Sequence, residues 1–90
     1  MEIKNSTQKG KKYMAIFSNP KKTTHFGAAG MDDYTITHDK DQRDRYRTRH
    51  RKDLETGDPR RAGYLSMFLL WGDSTNLQTN IQSYKKKFNL

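Results

Sequence analysis

The chain contains no cysteine, only two prolines, and no apolar run long enough to cross a bilayer. Without cysteine there is neither a disulfide framework nor a thiolate zinc site, which fits a reducing compartment. A membrane-spanning helix needs about 20 consecutive apolar residues, so no membrane contact is expected. The opening "MEIKNSTQKGKK" lacks the apolar segment of a secretory signal, and the protein is expected not to be secreted. Apolar side chains are scarce as well, at 31% of 90 residues against a usual value of about 45–50%. A chain this short buries only roughly 60–65% of the surface its unfolded form exposes, so its core must be thin. Ten aromatic residues, grouped rather than scattered, argue for a folded domain over disorder.

Positive charge is what the chain has in excess. Eighteen Lys and Arg face ten Asp and Glu, for a formal net charge of +8. Residues 1–20 carry +3, residues 21–38 are neutral, residues 39–61 carry +3 and residues 62–90 carry +2. A balance of this kind favours polyanionic partners, either nucleic acid or an acidic protein surface.

Hydrophobic patterning predicts an α+β domain over residues 11–90, preceded by a flexible basic arm over residues 1–10. In "KKYMAIFS", Tyr13, Ala15 and Phe17 alternate with Met14 and Ile16, the period of a strand. Asn19 and Pro20 make a turn, and "TTHF" returns as the second strand of a hairpin. "YTIT", residues 34–37, reads as a third short strand, so the N-terminal part is a β-hairpin or small antiparallel sheet. Three α-helices are expected to follow. The first starts at Asp39, with Gln42 at capping-box spacing, and runs to Leu54 on a narrow stripe of Tyr46, His50 and Leu54. Asp58 and Pro59 open the second, which carries most of the core and ends at Gly72. The third is capped by Ser74 or Thr75 and is amphipathic through Leu77, Ile81, Tyr84 and Phe88. The expected core combines that stripe with Tyr46, Tyr64, Leu65, Phe68, Leu69 and Trp71.

The residues with chemical potential fall into two groups. Asp32, Asp33 and His38 could supply a metal-dependent nuclease, but no HExxH-like spacing accompanies them and no third carboxylate is identified. Turn and helix-start roles explain them better. The Gly27–Gly30 segment matches neither a P-loop nor a dinucleotide fingerprint. More telling is the density of arginine on the first helix. Arg45, Arg49 and Lys52 share one face, with Arg47 and Arg51 beside it and Arg60 and Arg61 just beyond. The planar guanidinium suits phosphate oxygens. Pairing of Asp41 with Arg45 and of Asp44 with Arg47 would instead make this a solvated helix.

Taken in order, "KKYMAIF", "HFGAAGMDDYT", "HDKDQRDRYRTRH", "AGYLSMFLLWG" and "NIQSYKKKF" resemble a family of short basic proteins of nucleocytoplasmic large DNA viruses, whose function is unknown. The pattern is carried by Phe26 and Gly27, by Asp33, Tyr34 and Thr35, by Arg43, Tyr46, Arg49 and His50, and by Ala62, Gly63, Ser66, Leu69, Leu70 and Trp71. The resemblance covers about residues 12 to 88. It implies a giant-virus protein, located in the virion or in the cytoplasm or nucleus of the host, and it supplies no mechanism.

Together these readings predict a non-enzymatic protein without a cofactor that binds nucleic acid, double-stranded DNA first. Phosphate contacts are expected from Arg43, Arg45, Arg47, Arg49, Arg51, Lys52, Arg60, Arg61, Lys85, Lys86 and Lys87, with Lys9, Lys11 and Lys12 of the N-terminal arm adding reach. A minor capsid protein that cements acidic coat or other virion surfaces is the alternative, and a small metal-dependent nuclease the second. Homo-oligomerisation stays open.

Overall fold

Three strands pair antiparallel in the order β1-β2-β3: β1 (Glu2–Asn5), β2 (Lys11–Ser18) and β3 (Lys21–Ala28). The computed structural model describes residues 1–90. The hairpin lies where alternation predicts it, with Ser18 opposite Lys21 and Tyr13 opposite Phe26. Asn19, in its turn, adopts φ 73°, a left-handed conformation that asparagine tolerates. Residues 1–10, expected as an arm, contribute β1, in which Ile3 pairs with Ala15. A polar, four-residue edge strand carries too little alternation to be seen in the sequence.

"YTIT" is not a strand. Tyr34–Thr37 forms α1, a single helical turn ended by His38 at φ 57°. Its β-branched residues favour a strand, but the Asp33 carboxylate accepts hydrogen bonds from the Thr35 backbone (2.8 Å) and hydroxyl, which fixes a helical N-cap. Tyr34 is buried beneath the Arg43 guanidinium, which lies 4.9 Å from its ring centroid.

Five helical stretches follow the sheet, not three. α2 (Lys40–Arg49) is capped by Asp39, whose side chain accepts from the Gln42 amide at 3.1 Å. The reciprocal half of the capping box is missing, because the Gln42 side chain is bonded to the Thr37 hydroxyl instead. α2 stops at His50, and residues 51–56 tighten into a 3₁₀ turn that ends at Gly57 in the left-handed region. The next helix starts later than Asp58 and Pro59 suggest. Asp58 accepts from the Arg60 amide in a local turn, and α3 (Ala62–Leu65) begins after Arg61. Residues 66–70 continue it as a wider π turn, with Trp71 N–H donating to the Ser66 carbonyl. α4 (Leu77–Phe88) is capped by Asn76 rather than by Ser74 or Thr75.

The core joins Ala15, Phe17 and Phe26 of the sheet to Tyr34, to Leu65, Leu69, Leu70 and Trp71, and to Ile81 and Tyr84 of α4. Tyr46, Tyr64, Phe68, Leu77 and Phe88 pack partly buried around it. Tyr64, Phe68, Tyr84 and Phe88 form an aromatic cluster with centroids 4.7 to 5.9 Å apart, close enough for favourable edge and offset contacts.

Tyr84 also fixes the entry to α3, because its hydroxyl donates to the Pro59 carbonyl. Burial raises its pKa above the usual tyrosine value, and Tyr64 and Asp58 push the same way. The unfolded phenol titrates near 10. With the folded value higher, the contribution of Tyr84 to stability is complete below about pH 10 and is lost as pH rises through the folded pKa. Between about pH 9 and pH 11, the urea midpoint should fall more steeply for the native chain than for Tyr84→Phe. Equal slopes would remove this linkage.

Candidate nucleic-acid interface

α2 does not present its arginines as one free face. Arg43 is folded over Tyr34 and paired with Asp44 at 3.1 Å. Arg47 is used internally: its Nε donates to the Trp71 carbonyl at 2.8 Å and its Nη2 to Asp73 at 3.0 Å. That hydrogen bond is the main cause holding the Asp73 carboxyl below its ordinary value. The expected pairing of Asp44 with Arg47 therefore gives way to Asp44 with Arg43 and Asp73 with Arg47, and Asp41 makes no ion pair with Arg45. Arg45, Arg49 and Arg51 are exposed and outside any ion pair. Arg51 and Lys87 line a groove of about 440 Å³ beside α4, where the Lys87 ammonium sits 4.7 Å from the Phe68 ring centroid. Lys85 and Lys86 stand in the last turn of α4, where cations complement the helix dipole.

A different cluster of cations does converge. Along the free edge of β3, a shallow groove of about 780 Å³ is lined by Lys11 from β2, Lys22 from β3, Lys52 from the 3₁₀ turn, and Arg60 and Arg61 from the loop before α3. His25 lies in the same wall. The single carboxylate there is Asp53, which already meets His50 Nδ1 at 3.2 Å. The loop is fastened to the sheet by the Thr24 hydroxyl, which donates to the Arg60 carbonyl at 2.8 Å. The Arg60 guanidinium lies over the Phe17 ring at 5.8 Å and donates weakly to the Asn19 carbonyl, while its Nε has no partner.

Of the fourteen cations named from sequence, Lys11, Lys52, Arg60 and Arg61 thus meet at one place, whereas Lys12 is taken up by Asp33. Lys22 joins them and was missed. Its signal, a lysine pair opening the second strand of the hairpin, becomes legible only once the strand register is known.

Asp32, Asp33 and His38 do not come together. Asp33 is 2% exposed and engaged by Lys12 and by the N-terminus of α1, whereas His38 is exposed at the other end of that turn. No three His, Asp or Glu side chains are placed to share a metal ion.

A second groove, of about 630 Å³, adjoins the basic one and shares Lys11, Asp53, Ala62 and Gly63 with it. Its walls include Tyr46, Arg49, His50 and Trp71. The three rings are stacked. Tyr46 lies 4.4 Å from Trp71 at 9° between planes, and 4.1 Å from His50 at 24°. Burial raises the Tyr46 phenol above its ordinary pKa and the charge of Asp53 adds to this, while a hydrogen bond with Ser66 and the charge of Arg49 act in the opposite direction.

The chain belongs to a family of unknown function, DUF5754, whose model matches residues 1–50. That segment takes in the whole sheet, α1 and α2 as far as His50, and stops short of Lys52, Arg60 and Arg61. Neither a characterised protein nor a solved structure matches the chain.

Proposed function

We propose that the protein binds nucleic acid through its phosphates, without a chemical step, in the groove along the edge of β3. The observation that carries this reading is the convergence of Lys11, Lys22, Lys52, Arg60 and Arg61 from separate segments on one open channel whose only carboxylate is already bonded to a histidine. Like charges gathered in a concave surface raise the local potential and attract a polyanion. The resemblance to basic proteins of large DNA viruses makes a viral genome or its transcripts the natural polyanion. With that polyanion, the protein would act in the virion or the infected host cell.

The test is a salt series with labelled duplex and single-stranded oligonucleotides, applied to two charge-matched triple variants. Lys22→Glu, Lys52→Glu and Arg61→Glu, all exposed in the groove, should weaken binding by about 100-fold and flatten the log–log salt slope by roughly 2 to 3. Lys40→Glu, Arg45→Glu and Lys86→Glu remove the same charge elsewhere and should leave most of the affinity. Far-ultraviolet circular dichroism should be unchanged in both. A reversed ranking would move the grip to the exposed face of α2.

The second reading is a minor structural protein of the particle that joins acidic protein surfaces. Its support is the exposure of Ile36 (60%) on α1 and of Met31 (64%) just before it, the large apolar side chains left open. Weak binding of every oligonucleotide at low salt would favour it.

A further inference from the structure

We propose that His50 is the stacking site for one unpaired base of a single-stranded nucleic acid, so that the ladder Trp71–Tyr46–His50 gains a fourth ring. This rests on the reading of the basic groove as a phosphate channel. Exposure along the ladder is graded: Trp71 is 7% exposed, Tyr46 is partly buried, and the His50 side chain is 42% exposed. Protein covers the inner end of the stack, and the outer ring is left accessible.

Three features make His50 a prepared platform and not a loose surface side chain. Its ring packs on Tyr46, its Nδ1 is held by Asp53 at 3.2 Å, and its backbone N–H closes α2 on the Tyr46 carbonyl. Little side-chain freedom remains to be lost on binding. The groove it lines, about 630 Å³, falls within the roughly 300–1,000 Å³ of small-ligand sites. Arg49 stands on the same wall, and Lys11 bridges to the phosphate channel. A strand with its backbone along Lys52 and Arg61 thus has a route that turns one base into the second groove past Asp53, which both grooves share. A base inside a duplex already has stacking partners on both faces, so only an unpaired base gains from a new ring.

The experiment measures binding of the full chain to four labelled probes by fluorescence anisotropy: oligo(dT), oligo(U), an abasic strand of equal length, and a matched duplex. The native protein should bind both base-bearing strands about 10-fold more tightly than the abasic strand. His50→Ala should erase that gap, whereas His50→Phe, which frees Asp53 to the same extent but keeps a ring, should retain it, with the two variants equal on the abasic strand. Equal affinity of the native protein for abasic and base-bearing strands overturns the stacking site while leaving the phosphate channel intact. So does an equal loss on all probes in His50→Ala. Failure to bind any strand overturns both readings. Lys52→Glu with Arg61→Glu should weaken all four probes together, which separates the channel from the platform.

Discussion

Asp33→Ala should destabilise the fold by about 3–5 kcal/mol, enough to leave much of the chain unfolded at ambient temperature. The carboxylate is 2% exposed and its partner, the Lys12 ammonium, 13%. Deleting one member of a buried pair strands the other charge away from water, which costs far more than the pair itself contributes. A second loss is local. The same carboxylate caps α1 through the Thr35 amide and hydroxyl, and a missing N-cap costs about 1 kcal/mol. Asp33→Asn, which can still cap, should fall between the two chains. The double variant Asp33→Ala with Lys12→Met should recover most of the loss, because an apolar pair leaves no stranded charge. Urea unfolding followed by the fluorescence of Trp71, the sole tryptophan, measures all three. A cost below about 1 kcal/mol for Asp33→Ala, or no recovery in the double variant, would show that the pair is solvated in practice.

The fate of Asp33 illustrates what the sequence could and could not reveal. Where a local period decides the structure, the sequence was enough. Alternation marked β2, and the spacing of Leu77, Ile81, Tyr84 and Phe88 marked α4, in which Ile81 and Tyr84 are buried. Where a tertiary partner decides, it was not. Asp33 and His38 looked like members of one acidic cluster because they are close in sequence, yet Lys12, twenty-one residues away, claims the carboxylate. α1 inverted the strand propensity of Thr35, Ile36 and Thr37 because that same carboxylate, once held by Lys12, caps the turn through Thr35. The predicted helix to Leu54 broke at His50, where α3 packs so closely on the 3₁₀ turn that a Cβ on Gly63 would lie 2.7 Å from the Asp53 Cβ.

The candidate interface followed the same rule. Arginine density on α2 was visible, but half-buried Arg43 and Arg47 serve the fold through Tyr34, Trp71 and Asp73. The groove assembles cations from positions 11, 22, 52, 60 and 61, and only the hairpin register and the Thr24–Arg60 bond bring them side by side. The histidine stack is likewise a product of packing. Tyr46 and His50 are one helical turn apart, but the third ring, Trp71, comes from the far end of the π turn.

That junction also predicts a large effect for the smallest possible addition. Gly72→Ala should cost about 3 kcal/mol, the upper end for overpacking. A Cβ there would lie 2.2 Å from the Phe68 carbonyl oxygen and 2.9 Å from the Asn80 side chain. Neither neighbour can yield cheaply. Phe68 belongs to the backbone of the π turn, and Asn80, 5% exposed, closes the loop onto α4. Its Nδ2 donates to the carbonyls of Leu69 (3.0 Å) and Ser74 (2.8 Å), and its Oδ1 accepts from the Ser74 amide at 3.1 Å. Displacing it leaves polar groups unpaired, each costing about 1–3 kcal/mol where buried. Gly30→Ala is the control. Its φ of 80° strains alanine by about 1 kcal/mol, but nothing lies within 4 Å of the added methyl. Equal losses in the two variants would mean that the loop from Trp71 to Asn76 adapts freely. A larger loss at Gly72 has a functional corollary, since Arg47 moors α2 to this loop through the Trp71 carbonyl and Asp73. A Gly72→Ala chain under conditions where it still folds should therefore lose its preference for unpaired bases, which needs Trp71, Tyr46 and His50 in line. It should keep its affinity for an abasic strand, whose contacts lie across the sheet edge and the 3₁₀ turn.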